Sequence, residues 1–123
     1  NKVNAHAITL QLDLDPVILD IDRAVPCGLI INELVSNSLK YAFPGGKTSK
    51  GEAGEIRIAL QGDNERRLML VVGDNGVGFP SEMDFRRTAS LGMQLVNTLT
   101  DQIEGTITLE RNCGTTFKIV FRQ

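Results

Sequence analysis

The chain has 123 residues, of which 41% are hydrophobic and 23% are charged, and its formal net charge at pH 7 is −2. A chain of this length and composition forms one ordinary globular domain that buries its core without metal or disulfide staples. Its weakly acidic balance provides no basic stripe, so we expect no nucleic-acid partner. Since no apolar run approaches the ~20 residues of a membrane-spanning helix, we expect no direct membrane contact by this domain.

The two cysteines, Cys27 and Cys113, are far apart in the sequence and match no metal-binding spacing. We interpret them as unrelated thiols in a reducing cytoplasm, with a disulfide between them as the alternative. No signal peptide is visible, and the chain enters a strand pattern soon after Asn1. We therefore expect residues 1–123 to be one cytoplasmic domain cut from a longer protein. That parent protein is either soluble or membrane-anchored.

The first two predicted elements are a strand and a long helix. Residues Ala5–Leu14 alternate apolar and polar side chains, which is typical of a half-buried strand, and Pro16 closes it. Asp22 is the expected N-cap of a helix that runs to about Phe43, where Pro44-Gly45-Gly46 stops it.

A polar loop and a hairpin follow the first helix. The loop covers Gly46–Gly54, and the apolar alternation in Glu55–Leu60 predicts the next strand. The turn signal Gly62-Asp63-Asn64 joins this strand to a second one, Arg67–Gly73, so the two should form a hairpin. Phe79–Ala89 has no clear period and is predicted to be a loop.

The second helix and the second hairpin complete the chain. Leu91–Ile103 has helical spacing of its apolar residues, with Gly105 as its stop. Thr106–Glu110 and Thr115–Phe121 are strands joined by the turn Arg111-Asn112-Cys113-Gly114. About five strands and two principal helices predict an α+β fold, a two-layer sandwich of a mixed, mostly antiparallel sheet covered on one face by helices.

A stripe of polar side chains lies on the first predicted helix. At 100° per residue, Glu33, Asn37 and Lys40 fall within about 60° of arc. A solvated helix face is the default interpretation of such a stripe. Apolar neighbours border it, namely Leu29, Ile30 and Leu34. A narrow polar stripe on an otherwise buried helix needs a ligand or water, and this one suits a magnesium-bound triphosphate. Asn37 offers an oxygen to the cation, Lys40 a charge to phosphate, and Glu33 a base.

The segment Asp74-Asn75-Gly76-Val77-Gly78 directly follows the predicted strand Arg67–Gly73. A strand that ends in this way leaves a carboxylate at the edge of the core, beside backbone without side chains. That pairing suits a planar group with an exocyclic amine, such as adenine. Taken alone, the segment is equally well explained as a strand followed by an Asn-Gly turn.

Four motifs in one order give the sequence a family resemblance. They are the helix run around Asn37, Asp74-x-Gly76-x-Gly78, Leu91-Gly92-Met93 and Gly114-Thr115-x-Phe117. The sequence resembles the ATPase superfamily of histidine kinases, type II DNA topoisomerases, the large heat-shock chaperone ATPase and mismatch-repair ATPases. Within it, Pro26–Phe43 and Ser90–Val96 are most similar to sensor histidine kinases that carry Glu in the first motif. The resemblance implies the Bergerat ATP-binding fold, with ATP and Mg²⁺ as cofactors.

The resemblance also implies a role for each motif residue. Glu33 and Lys40 would be catalytic, and Asn37 would hold Mg²⁺. Asp74 would accept a hydrogen bond from the exocyclic amine of adenine. Thr115 would support Asp74 and the base through a water or hydroxyl bond. The nucleotide-binding set that the resemblance implies is Asn37, Lys40, Tyr41, Asp74, Gly76, Gly78, Phe79, Leu91, Gly92, Met93 and Thr115.

The second glycine motif and its flanking loop complete the implied site. Gly92 and Met93 would present backbone N–H groups to an anion at the start of the second helix. Phe79–Ser90 would form a lid over the nucleotide, with Phe85 as its apolar latch. Two features depart from the family pattern: Gly92 stands alone where Gly-x-Gly is common, and the lid is short.

The resemblance implies the catalytic domain of a sensor histidine kinase. Such a domain transfers the γ-phosphoryl group of ATP to a histidine on a separate dimerisation domain, and a response regulator acts downstream. His6, the only histidine, lies in or next to a predicted strand, so we expect the chain to bind Mg-ATP without phosphorylating itself. The alternatives are an anti-sigma-type protein-serine kinase on the same fold and a degenerate regulatory module that transfers nothing.

Overall fold

A mixed five-stranded sheet with helices on one face forms the part of the chain that the computed structural model describes, residues 8–44, 48, 51–78, 90–111 and 114–123. The elements are β1 (Ile8–Leu14), α1 (Ile21–Asn37), a π-helical turn (Ser38–Ala42), β2 (Gly54–Gly62), β3 (Arg67–Asp74), α2 (Leu91–Gln102), β4 (Thr106–Glu110) and β5 (Thr115–Arg122). The predicted α+β sandwich is confirmed.

The order of the strands in the sheet is β1-β2-β3-β5-β4. β1 and β2 are parallel, and every other neighbouring pair is antiparallel. Both predicted hairpins, β2–β3 and β4–β5, are therefore confirmed. β3 lies between β2 and β5, and its run Leu68–Gly73 is almost wholly buried, as expected of a continuously apolar central strand. The residue that ends this strand, Asp74, thus emerges from the middle of the sheet.

The core lies between the helices and the sheet. Its largest fully buried apolar side chains are Ile30, Leu68, Leu70, Val96, Ile103, Ile119 and Phe121. α1 and α2 contribute to it from one stripe each, which is the helical period read from the sequence. No helix in the described part of the chain is long and apolar enough to span a bilayer.

The first strand is less buried than its alternation predicts. Leu10, Leu12 and Leu14 are between 56% and 59% exposed, although their register partners include the buried Ile56 and Ile58 of β2. The half-buried interpretation of this strand was therefore wrong. β1 is one of the two edge strands, and the core that the helices cover is built from side chains of β2 to β5 instead. The predicted start of the strand, residues 5–7, lies outside the described residues.

The N-cap of the first helix lies two residues before the cap expected from the sequence. Asp20 is the N-cap, and its Oδ1 accepts the N–H of Arg23 at 3.1 Å. Asp22, the predicted cap, lies in the first turn, where its negative charge interacts favourably with the positive end of the helix dipole. Two aspartates in three residues made the cap ambiguous, because both have the side chain that a cap needs.

The second helix ends at Gln102, with Ile103 as its C-cap and Glu104 in the left-handed region at φ 57°. The predicted stop, Gly105, has a different reason to be glycine. A Cβ there would lie 3.1 Å from the carbonyl oxygen of Val120. Gly105 therefore allows the chain to pass close to β5, whereas the helix is stopped by a residue for which left-handed backbone is unfavourable.

The β2–β3 turn is closed by Asp63. Its Oδ1 accepts the N–H groups of Arg67 at 3.0 Å and Glu65 at 2.8 Å. These two backbone donors hold the pKa of Asp63 below its usual value. The turn signal predicted in the sequence therefore has its source in an aspartate that binds backbone N–H groups two and four residues further on.

Cys27 is a free and buried thiol on α1. Burial raises the pKa of this thiol above its ordinary value, although the nearby Arg23 acts in the opposite direction. Cys113, the other cysteine, lies outside the described residues.

Candidate functional site

The candidate site begins where β3 ends. Asp74 is the last residue of this central strand and lies directly opposite Thr115 of β5. Opposite residues of an antiparallel pair place their side chains on the same face of the sheet. Thr115 is buried while Asp74 is partly exposed, so the end of the central strand presents a carboxylate beside a buried threonine.

The Asp74 carboxylate is held by two donors. The hydroxyl of Ser38 donates to Oδ2 at 2.7 Å, and the N–H of Gly76 donates to Oδ1 at 2.9 Å. A carboxylate has about four lone-pair positions, so each oxygen keeps acceptor capacity after these bonds. The group is therefore fixed in orientation and still able to accept an N–H from a ligand.

The loop after Asp74 is docked against the π-helical turn. Val77 donates its N–H to the carbonyl oxygen of Ala42 at 2.9 Å, and a Cβ on Gly76 would overlap that same oxygen. Gly76 thus has a packing reason to be glycine, in addition to the close approach of a base predicted from the sequence. Gly78 adopts φ 91°, a conformation that glycine adopts without strain.

Gly114 closes the site from the side of the second hairpin. It adopts φ 127°, and a Cβ at this position would overlap the carbonyl oxygen of Asp74. The glycine of the fourth sequence motif therefore allows β5 to start against the end of β3.

The start of α2 lies against the polar stripe of α1. A Cβ on Gly92 would lie 2.8 Å from Oε1 of Glu33 and 3.8 Å from both Oδ1 and Nδ2 of Asn37. Any larger residue would force Glu33 to move. The structure thus brings together residues that two separate motifs placed 55 or more positions apart in the sequence.

The N-terminus of α2 offers backbone donors at this junction. Ser90 is the N-cap, and the helical hydrogen-bond ladder begins with the N–H of Gln94 donating to the Ser90 carbonyl oxygen at 3.0 Å. The N–H groups of Leu91 and Gly92 precede that ladder and lie at the positive end of the helix dipole. Met93, also predicted as an anion-binding donor, directs its N–H to the Ser90 hydroxyl at 3.5 Å and buries its side chain.

Two predicted site residues lie on the π-helical turn. Because a π-helix bonds i to i+5, the spacing of 100° per residue that placed Lys40 in line with Glu33 and Asn37 stops applying at Ser38. Lys40 is exposed, and Tyr41 is 72% exposed. Lys40 therefore does not continue the α-helical stripe of Glu33 and Asn37.

One border of the polar stripe also differs from the prediction. Ile30 and Leu34 are buried, but Leu29 is exposed. The stripe is enclosed by core on one side only, because the helix lies on the sheet with Ile30 and Leu34 facing inward.

Ser38 is a site residue that the sequence analysis missed. The residue is 9% exposed, and its hydroxyl is the donor to Asp74 described above. The available signal was a serine next to Asn37, on a helix whose neighbours are mostly apolar. Phe79, Phe85 and the rest of the predicted lid up to residue 89 lie outside the described residues, as does His6.

The residues around Asn37 fit a magnesium ion that is held mainly by phosphate oxygens and water. Among the described residues, no group of three or more His, Cys, Asp or Glu side chains could hold a metal by itself. Mg²⁺ commonly takes only one or two protein ligands at such sites. Asn37 is partly exposed beside the α2 N-terminus and offers one neutral oxygen.

A family model describes most of the chain. Residues 23–123 match the model of the "Histidine kinase-, DNA gyrase B-, and HSP90-like ATPase" family. The sensor histidine kinase PdtaS of Mycobacterium tuberculosis is 33% identical over 92 residues, which cover 73% of this chain and 17% of PdtaS. Blue-light-activated histidine kinase 2 of Erythrobacter litoralis is 25% identical over 105 residues, covering 85% of this chain and 29% of the relative. The chain thus spans less than a third of these relatives.

Solved structures share the fold at lower identity. The histidine kinase domain of a blue-light-activated kinase from Erythrobacter litoralis superposes with a TM-score of 0.84 at 24% identity, covering 99% of this chain and 55% of that one. The Acinetobacter baumannii histidine kinase AdeS gives a TM-score of 0.75 at 21% identity, covering 98% of this chain and 57% of that one. These solved structures therefore share with this chain the arrangement of the described sheet and its helices.

Proposed function

The chain belongs to the family of histidine kinase-, DNA gyrase B- and HSP90-like ATPases, and from this membership we propose that it is the Mg-ATP-binding kinase core of a two-component signalling system. It transfers the γ-phosphoryl group of ATP to a histidine on a separate dimerisation domain. The observation that carries the proposal is the clamped and partly exposed carboxylate of Asp74, linked through Ser38 to the helix that bears Glu33 and Asn37.

In this proposal Asp74 selects the base. Its carboxylate accepts an N–H of the adenine amine, and the hydrogen bonds from Ser38 and Gly76 keep it in place for that contact. A hydrogen bond to a charged group contributes about 1.5–3 kcal/mol. Thr115 lies on the same face and supports the carboxylate or the base through its hydroxyl or a water molecule.

The phosphates lie at the junction of the two helices. Leu91 and Gly92 present backbone N–H groups, and Lys40 adds a mobile positive charge from the π-helical turn. Asn37 holds Mg²⁺, which when bound supplies neutralisation of charge on the phosphate oxygens.

The transfer step requires positioning more than covalent chemistry by this chain. The imidazole nitrogen of the acceptor histidine forms a bond to the γ-phosphorus as the bond from phosphorus to the β–γ bridging oxygen breaks. ADP leaves with that electron pair. Glu33 accepts a hydrogen bond from the N–H at the other nitrogen of the imidazole and so orients the ring, since its carboxylate lies at the α1–α2 junction.

The proposal assigns partners by the chemistry of the transfer. Residues 1–123 are one domain of a longer cytoplasmic protein that also holds the acceptor domain, and a response regulator receives the phosphoryl group downstream. The proposal includes no nucleic-acid partner, because the net charge is −2 and nucleic-acid binding relies on a positive surface.

Labelling with ATP that carries a radioactive γ-phosphate tests the transfer. The 123-residue chain should bind the nucleotide but carry no covalent label, because the acceptor lies in another domain. The longer protein should carry a label that acid releases, as expected for a phosphorus–nitrogen bond, and the same protein with Asp74→Asn should carry none. A label on His6 of the isolated chain would refute the proposed division of labour. An acid-stable label on serine would instead support the protein-serine kinase.

A further inference from the structure

The buried hydroxyl of Ser38 is part of the site, although none of the roles assigned to the motifs uses it. Ser38 is the first residue of the π-helical turn, and its own N–H donates to the carbonyl oxygens of Leu34 and Val35. This bonding fixes the backbone of Ser38 at the point where α-helical bonding gives way to π-helical bonding. The residue is 9% exposed, and its side chain is directed to Oδ2 of Asp74 at 2.7 Å.

The direction of this hydrogen bond is fixed by chemistry. A carboxylate accepts but does not donate, so the proton lies on the hydroxyl and is committed to Asp74. Bonds of this kind, with an ionised acceptor, are shorter and stronger than bonds between neutral groups. The distance of 2.7 Å lies within the range for hydroxyl donors.

Ser38 acts together with Gly76 because the two donors meet different oxygens of the same carboxylate. Two fixed donors on two oxygens set the plane of the group as well as its position. Both donors belong to segments docked on the π-helical turn: Ser38 begins it, and the loop with Gly76 binds through Val77 to Ala42 at its end. The turn therefore controls the orientation of Asp74 from both of its ends.

We propose that Ser38 is a positioning residue that directs the Asp74 carboxylate to the 6-amino group of a purine. This inference rests on the proposed function, in which Asp74 binds adenine. It also predicts discrimination against guanine, which has a carbonyl oxygen at that position. Asp74 cannot donate to a carbonyl, and the proton of Ser38 is already committed to Asp74.

The test measures how much each protein gains from the 6-amino group. Calorimetry would give the dissociation constants of ATP and of purine riboside 5′-triphosphate, which lacks only that amine. The wild-type chain should bind ATP more tightly than the analogue. Ser38→Ala should weaken ATP binding about tenfold, the loss of one positioned hydrogen bond, and change the affinity for the analogue less than about twofold. Ser38→Cys, which keeps the volume but is a weak donor, should shift the ratio in the same direction.

Ser36→Ala is the matched control, since it removes a serine hydroxyl two residues earlier, in the last turn of α1. It should leave both affinities unchanged. If Ser38→Ala and Ser38→Cys weaken both nucleotides equally, or weaken neither, the positioning role is wrong. Asp74→Asn separates this failure from a failure of the proposed function. If the wild-type chain does not prefer ATP, or if Asp74→Asn keeps the preference, the assignment of Asp74 itself is wrong.

Discussion

Three polar residues of the site, Asp74, Glu33 and Asn37, differ in the groups that surround their side chains. Asp74, Glu33 and Asn37 are all partly exposed beside buried apolar residues. Asp74 is fixed by a hydroxyl and a backbone N–H, whereas Glu33 and Asn37 lie beside Gly92, where a Cβ would crowd Glu33. Because burial would penalise unpaired charge, partial exposure lets these groups keep water until a ligand replaces it.

Asn37→Ala tests the proposed magnesium ligand. In the wild-type chain, ATP should bind about tenfold more tightly in Mg²⁺ than in EDTA. The variant should lose most of this difference in affinity. Calorimetry with ATP under both conditions measures the difference directly. Asn32→Ala, which removes the same side chain from an exposed position on α1, is the control. A variant at Asn37 that keeps the full magnesium dependence would contradict its role as a ligand.

Sequence motifs named residues that the structure brings together, but they described the geometry of those residues less well. Asp74 and Gly92 could be found because the first follows an apolar strand and the second opens a helix. Ser38 and the displacement of Lys40 could not, because the change from α- to π-helical bonding at Ser38 leaves no periodic signal in a five-residue segment. The roles of the individual site residues stay predictions until ligands are measured.

At the scale of elements, alternation and helical spacing predicted which segments are strands and helices. Both hairpins could be predicted because turn residues such as Asp63 are local signals, and the strand pairing confirms them. Burial was harder to predict, because β1 alternates like a half-buried strand yet lies at the edge, beyond the helices. Which neighbour covers a strand is a property of topology, which local periodicity does not contain.

The end of α2 gives a test of helix termination. Glu104 adopts φ 57°, which costs a residue with a Cβ about 1 kcal/mol relative to glycine. Glu104→Gly should therefore raise the melting temperature by about 4 °C. Its ion pair with Arg23 spans 3.9 Å and is largely exposed on the Glu104 side, so its loss should cost little.

Glu104→Ala serves as the control in the same thermal unfolding measurement, because it removes the ion pair and keeps the Cβ. The glycine variant should melt above both the alanine variant and the wild-type chain. If it melts at or below the alanine variant, backbone strain at Glu104 is not limiting stability.

At the scale of the whole molecule, the site depends on three long-range meetings. The loop after β3 meets the π-helical turn at Gly76, β5 starts against the end of β3 at Gly114, and the N-terminus of α2 meets α1 at Gly92. Each of these three meeting points contains a glycine whose Cβ would overlap or crowd its neighbour. The order of the motifs in the sequence indicated this assembly only through the family resemblance, since spacing alone does not determine which segments meet.

The most direct test of the account is the affinity of the chain for Mg-ATP with and without the Asp74 carboxylate. Calorimetry should show ATP binding by the wild-type chain and a loss of about a hundredfold in Asp74→Asn, since the adenine amine no longer donates to a charged acceptor. Circular dichroism should show that the variant keeps its fold. Unchanged ATP affinity in a folded Asp74→Asn variant would contradict the account at its central point.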